Sequence, residues 1–326
     1  MATIRDIAKL ARVSSATVSR VINHSGYVSE VTREKVLAAI EELNYTPNIH
    51  AQNLRRGRTR TLGIITSTLD DTTLARISPF IEFAHDAGYT TALFFTGDDS
   101  VRELEALDRL KAKEIDGAFI IYRANPWKNI TPYLKYGPLV TVHNLGTHQK
   151  EINIPTVFSD HYSGYLKILK DLWAHGYKKT YHFLAYDWGI NTDRRVQATQ
   201  DFYKEKDYPV ASDQFFYNMV DNDVIIESLK TINFSKKEAV LCFSDEVAAV
   251  VLNYLKSKQL KVPEEIAVVG FDNLTISELM GITSMDYRIE EQGRNAARLL
   301  INQLEGQHKY DTVPLDFHLV KRDTTL

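Results

Sequence analysis

The chain has 326 residues, enough for two or three units that each bury a core. Apolar residues make up 44% and charged residues 25%, the balance of an ordinary globular protein and far from that of a disordered one. A single cysteine, Cys242, excludes an internal disulfide or a cysteine zinc cage, and no apolar run reaches the roughly 18 residues of a membrane span. With Arg5, Asp6 and Lys9 interrupting the first apolar residues there is no signal-peptide core, so a cytoplasmic protein with no membrane contact is expected. The net charge of −3 hides a division: residues 1–60 carry ten Lys/Arg against five Asp/Glu, so the rest carries 29 against 37. A basic head on an acidic body suits contact with a polyanion.

Ile4, Ile7, Ala8 and Ala11 recur at helical spacing, and a break at Arg12, Val13 and Ser14 is short enough only for a tight turn. Ser14 is a good N-cap for a second helix. Its inner stripe is Val18, Val21 and Ile22, which leaves Ser15, Ala16, Thr17, Ser19, Arg20 and Asn23 outside. A third helix is predicted from about Thr32 to Leu43, with Val36, Leu37, Ile40 and Leu43 inward. Two helices joined by so short a turn, the second displaying small polar residues and an arginine, form the helix-turn-helix layout that enters the DNA major groove. After Pro47, residues 48–56 read as a further short helix, too short to be stable alone in water.

From Thr61 onward, apolar runs alternate with amphipathic stretches of helical length. TLGIITS, TTALFF, DGAFIIY and PLVTV are followed, after Pro155, by TVFS, YHFLA, QFFY, AVLCF and IAVVGF. Near-continuous apolar runs suit parallel strands buried on both faces, so the body is expected to be α/β, with two doubly wound parallel sheets in succession. Ligands of open α/β sheets sit beyond the carboxyl ends of the strands. That rule selects Ser67 and Asp70 after the first strand, Arg123 after the third, His143 after the fourth, and Asp187 with Trp188, Asp245 and Asp272 in the second half. Arginine, carboxylate and an aromatic plate are the groups a polyhydroxylated ligand requires. No GxxxxGK[ST], GxSxG, HExxH or EF-hand pattern is present, and His143 and His148 lack a third ligand, so neither a metal, a cofactor nor an enzyme activity is expected.

The strings TIRDIAKLARVSSATVSRVIN, VSEVTREKVLAAIEELNYTPN and AQNLRRGRTRTLGII are similar to the LacI/GalR family of bacterial transcriptional regulators. The resemblance implies that Ser15, Ala16 and Arg20 read base edges, while Thr17, Ser19, Asn23, Tyr27, Ser29 and Thr32 hold the DNA backbone. It implies that the segment around Asn48, Ala51, Leu54 and Arg55 forms a hinge helix in the minor groove, with Leu54 as the wedge. In the body it implies two subdomains like those of periplasmic sugar-binding proteins, and it points to Arg195 and Asp272 as effector contacts. The organisation that follows is a headpiece at 1–47, a hinge and linker at 48–60, and an effector-binding and dimerisation domain at 61–326. The latter divides into about 61–158 with 288–320, and 159–287. The expected effector set is Ser67, Asp70, Arg123, His143, Trp188, Arg195, Asp245 and Asp272.

His143 stands where many members carry Asp, and GITSMDY lacks the family's usual Pro and Thr-Thr, which departs from a standard hexose pocket. KEIDGAFIIYRANPWKNITPYLKYGPLV and FSDEVAAVV resemble most the catabolite control protein B branch. The function implied is a homodimeric repressor of carbohydrate-related genes. It binds double-stranded operator DNA under the control of a small-molecule effector, a sugar or sugar phosphate, or alternatively of a phosphorylated carrier protein. A sugar-processing enzyme or solute-binding protein is the rival class, against which the basic headpiece argues.

Overall fold

The computed structural model describes residues 2–22, 25–45, 57–145 and 149–326. The chain forms two compact units, Met1–Thr59 and Arg60–Leu326.

In the first unit α1 (Ile4–Ala11) opens with a reciprocal cap, in which the Thr3 hydroxyl accepts from the Asp6 N–H and the Asp6 carboxylate accepts from the Thr3 N–H. Arg12 ends the helix in the left-handed region at φ 53°. Two residues later the Ser14 hydroxyl accepts from the Thr17 N–H at 3.1 Å and starts α2 (Ser15–Ile22). The third helix, α3 (Glu30–Glu42), begins two residues earlier than the spacing predicts. Ile7, Ala8, Ala11, Val18, Val21, Val36 and Ala39 form the core, with Ile40 and Leu43 against its edge. Leu37, expected inward, is 51% exposed. It lies one position around the helix from Val36, and the small Ala39 takes the inner stripe instead.

The body runs β1 (Thr61–Thr66), α4 (Asp71–Asp86), β2 (Thr90–Phe95), α5 (Ser100–Lys111), β3 (Gly117–Ile120), α6 (Trp127–Ile130), β4 (Leu139–Thr141), α7 (Gln149–Ile152) and α8 (His161–Ala174). It continues with β5 (Lys179–Phe183), α9 (Ile190–Glu205), β6 (Phe215–Phe216), α10 (Asn222–Thr231), β7 (Glu238–Cys242), α11 (Asp245–Ser257) and β8 (Ile266–Phe271). The last elements are α12 (Thr275–Leu279), β9 (Thr283–Asp286), α13 (Ile289–Glu305) and β10 (His318–Val320). The first sheet has the order β2-β1-β3-β4 and is parallel throughout; the second has the order β10-β9-β8-β7-β5-β6, with only β9 and β10 antiparallel. Each sheet places apolar strand residues on both faces, and each is covered by helices: Leu62, Ile64 and Phe119 meet α4 and α13 on one side of the first, and Ile65, Ala118 and Ile120 meet α5 on the other.

Three elements differ from expectation. TVFS contributes only a single bridge, Thr141 to Thr156, and QFFY shortens to the two residues of β6. The polar stretch TSMD is a buried strand, β9, because Thr283 and Ser284 place their hydroxyls against Thr325 and Asp245. The return of the chain to the first layer also ends before residue 320, since His318–Val320 pairs with β9 in the second sheet. The returning helix α13 lies close against α4, and a Cβ at Gly293 would come within 2.1 Å of the Arg76 carbonyl oxygen. Gly293→Ala is therefore expected to destabilise the body by about 1–3 kcal/mol through overpacking, measured by urea unfolding. Parent-like stability of that variant would mean that α13 can move away from α4.

Candidate nucleic-acid interface and effector cleft

On α2, Val18 and Val21 point inward, which turns Ser15, Ala16 and Arg20 to solvent and leaves Thr17 and Ser19 half-buried. The Thr17 hydroxyl lies 2.9 Å from that of Ser14, so the residue that starts the helix also orients one of its outward side chains. Ser29 and Thr32, at the start of α3, bring their hydroxyls to 2.8 Å, and Tyr27 is 91% exposed just before them. Arg20 runs along the backbone of Gly26, whose φ of +70° lets the chain turn after α2. The predicted base-reading residues thus share one exposed helix surface, bordered by the predicted backbone contacts. Asn23 and the hinge residues Asn48, Ala51, Leu54 and Arg55 lie outside the described residues.

In the body, five polar groups stand after strands or near the starts of helices of the two sheets. Arg123 follows β3 and His143 follows β4; His161 opens α8, Arg195 lies on the first turns of α9, and Asp272 follows β8. The charges that act on them tie the group together, because His143 feels the guanidiniums of Arg123 and Arg76, while His161 feels those of Arg195 and Arg76. Burial first, and then these cations, push His143 down to about 4 and His161 well below the ordinary histidine range, so both rings are neutral at pH 7. Burial and the neighbouring Asp245 push the Asp272 carboxyl well up. The Arg195 guanidinium lies 4.2 Å from the centre of the Phe271 ring and donates one bond, to the Phe243 carbonyl at 3.2 Å. Arg123 lies 4.8 Å from the centre of the Trp127 ring and donates to the Asn125 carbonyl at 2.8 Å.

Arg123 Nε, His143 Nε2, His161 Nδ1 and Arg195 Nε are the buried side-chain atoms without a hydrogen-bond partner among the described residues. Buried polar groups are ordinarily paired, and these four orphans fall in two pairs: Arg123 and His143 pack on Trp127, and Arg195 and His161 pack on Phe271. His161 was missed in the sequence because the first residue of a helix looks like ordinary surface. What buries it is tertiary: its ring packs on Phe271 at 4.8 Å and Tyr287 at 5.4 Å.

The remaining predicted residues have other surroundings. Ser67 is buried at the end of β1. Asp70 is exposed and caps α4, accepting from the Thr73 N–H and the Thr72 and Thr68 hydroxyls. Asp245 is fully buried, with one oxygen on Ser284 and the other on the Leu274 N–H, and burial pushes it up to about 6. Trp188 is 68% exposed and stacks on Tyr186 at 5.1 Å. A cavity of about 610 Å³ lies between the outer face of α4, the segment 272–276 and the start of α13, and of the predicted effector residues it reaches only Asp272. The unmet hydrogen-bonding capacity lies instead at Arg123, His143, His161 and Arg195.

Residues 3–48 match the profile of the bacterial regulatory proteins of the lacI family, and residues 169–325 match a periplasmic binding protein-like domain. The chain belongs to the lacI family. It is 32% identical to the uncharacterized HTH-type transcriptional regulator YkvZ of Bacillus subtilis over 99% of this chain and 100% of the relative. It is 31% identical to catabolite control protein B of the same organism over 95% of this chain and 99% of that protein. The fold is that of a lac repressor dimer bound to operator and the anti-inducer ONPF, with a TM-score of 0.83 and 24% identity over 100% of this chain and 99% of that one. As a member of the family the chain is a DNA-binding transcriptional regulator. Among the described residues no helix is long and apolar enough to cross a membrane.

The neutral histidines make the body sensitive to acid. Unfolded, His143 titrates at 6.5; folded, at about 4, so between those values the unfolded chain binds the extra proton. His161 and His182, the latter at about 3, act in the same sense, whereas Asp245 at about 6 acts against them. The contribution of His143 is complete above pH 6.5 and is lost as pH falls towards 4. His143→Gln should flatten the loss of stability between pH 7 and pH 5, by on the order of 1 kcal/mol, in urea titrations at both values. An unchanged slope would mean that His143 takes up its proton at the same pH folded and unfolded.

Proposed function

We propose that this regulator is a homodimeric, non-enzymatic repressor of carbohydrate-related genes, released from or held on its operator by a small molecule in the cleft of the body. The observation that carries this reading is the set of four unpartnered buried nitrogens, two on side chains packed on Trp127 beside the first sheet and two on side chains packed on Phe271 of the second, which one occupant would satisfy by binding both sheets at once. Such a ligand shifts the arrangement of the two sheets by its differential affinity for the alternatives, and operator affinity responds by the same factor. Relatives named as a transcriptional regulator and a transcriptional repressor support the DNA side. The dimer reading rests on exposed apolar residues on one layer of the first sheet, namely Leu74 and Ile81 of α4 with Leu93 and Phe95 of the edge strand β2. Contiguous exposure of such residues marks an interaction surface.

Selection of bound oligonucleotides tests the DNA reading. The parent should recover a roughly palindromic site, and Arg20→Ala should lose about 1–3 kcal/mol at one base pair of each half-site and relax the preference there. An unchanged consensus for the variant would remove Arg20 from the base-reading set. Leu93→Asp is expected to shift the protein from dimer to monomer in sedimentation velocity and to cost most of the operator affinity. A variant that still sediments as the parent would place the interface elsewhere.

A further inference from the structure

We propose that Tyr165, His182, Thr180 and Tyr203 form a hydrogen-bond relay through the second layer of the body, in which the tautomer of His182 sets the end at which a phenol hydrogen is left over. Thr180 and His182 stand two residues apart on β5 and so share one face of the sheet, towards Tyr165 of α8 and Tyr203 of α9. The Tyr165 hydroxyl lies 2.8 Å from His182 Nδ1, and His182 Nε2 lies 2.9 Å from the Thr180 hydroxyl. That hydroxyl lies 2.9 Å from the one on Tyr203. All four residues are buried, and the His182 ring stacks on Phe215 with the ring centres 4.8 Å apart.

The chain has a direction because it holds one hydrogen more than it can use. Burial holds His182 down to about 3, so at pH 7 the imidazole carries a single hydrogen, as does each of the three hydroxyls. Four hydrogens meet three contacts, and one is left at an end. With the ring hydrogen on Nε2, Tyr165 donates to Nδ1, Nε2–H donates to Thr180, Thr180 donates to Tyr203, and the Tyr203 hydrogen is left over. With it on Nδ1, each bond runs the other way and the Tyr165 hydrogen is left over. In passing from the first state to the second, water supplies a proton at Tyr165 and removes one at Tyr203, so the chain is neutral and holds the same number of hydrogens in both.

The two ends face different groups. The Arg195 guanidinium, which can only donate, lies 5.8 Å from the centre of the Tyr165 ring and acts on its phenol. Beside that cation a lone pair is favoured over a left-over hydrogen. The Tyr203 ring lies 5.8 Å from that of Tyr208, a residue 37% exposed, so solvent is near that end. The resting state therefore carries its hydrogen on Nε2. An acceptor brought against Tyr165, or loss of the acceptor at Tyr203, reverses the chain. The side of the layer that carries Arg195 and the carboxyl end of α9 are thereby coupled without movement of the backbone, whatever the body binds.

Histidine-selective nitrogen labelling of the full-length protein tests this, because long-range proton–nitrogen correlation spectra distinguish Nε2–H from Nδ1–H, and His182→Gln assigns the signal. The parent is expected to hold Nε2–H. Tyr203→Phe takes away the acceptor of the Thr180 hydrogen, which turns to Nε2, and the ring is expected to pass predominantly to Nδ1–H. Tyr165→Phe is expected to keep Nε2–H, since a buried Nδ1–H would then have no acceptor. Loosening of the core, common to both variants, does not give that contrast. Thermal unfolding checks that the variants fold. If Tyr203→Phe does not, Arg195→Gln, which sets an amide oxygen where the parent has only donors, is expected to give the same passage to Nδ1–H and decides in its place. Nδ1–H in the parent, a ring protonated on both nitrogens at pH 7, Nε2–H kept by the deciding variant, or Nδ1–H in Tyr165→Phe overturns the proposal.

Discussion

The body is organised around one partly buried cation. Arg76, in the middle of α4, donates to Gln292 of α13, to the Thr72 carbonyl within its own helix, and to the Tyr287 hydroxyl. Tyr287 lies between β9 of the second sheet and α13, which packs on the first, so these bonds fasten α4 to the crossing of the chain between the layers. An enclosed charge must be met by hydrogen bonds or it destabilises the fold, which makes the crossing a position of low tolerance. Gly293 belongs to the same constraint, since only a residue without a Cβ lets α13 come so close to the Arg76 backbone.

From that junction the cleft follows. Arg76 acts electrostatically on His143 of the first sheet and on His161 of the second, and both stay neutral partly on its account. Asp160, the N-cap of α8, holds Arg194 in a two-pronged ion pair. That pair fixes the start of α8 against α9 and leaves the adjacent Arg195 facing the opposite way, onto Phe271. Two consecutive arginines thus have opposite surroundings, one closing an ion pair near the surface and the other buried with an unpartnered Nε–H.

The sequence made the headpiece legible to the level of side chains because helical spacing, a turn of fixed length and a capping serine are local signals. Leu37 shows the limit: Val36 and Leu37 are both apolar, and only packing against α1 decides which faces inward. In the body, strands made of continuous apolar runs were legible. β9 was not, since its burial rests on hydroxyl pairs such as Thr283 with Thr325, which carry no apolar signature, and β10 is three residues long with none of them fully buried. The strand-end rule found Arg123, His143 and Asp272, but it also returned Asp70 and Asp245, whose carboxylates serve as a helix cap and a strand clamp. Chain position specifies nearness to a cleft; only geometry shows whether an oxygen is already occupied. His161 and Arg76 were invisible for the converse reason, as polar residues on amphipathic helices whose enclosure comes from distant elements.

The pattern of satisfied acids and unsatisfied bases also bears on how the cleft could transmit a signal. Were the carboxylates free and the arginines paired, an occupant would have to break existing bonds to enter, and its gain would be nearly the same for any arrangement of the sheets. An arrangement that brought Arg123 of the first sheet towards Arg195 of the second would set like charges closer together, against the attraction that Glu103 and Asp272 already exert on them. A single acceptor between them reverses the sign of that interaction. A ligand bound there would change the relative stability of the two arrangements instead of binding both equally, which is the condition any control of DNA affinity must meet. The sign of regulation reduces to one quantity, the arrangement that operator DNA itself favours, because coupling between two ligands of one protein is reciprocal.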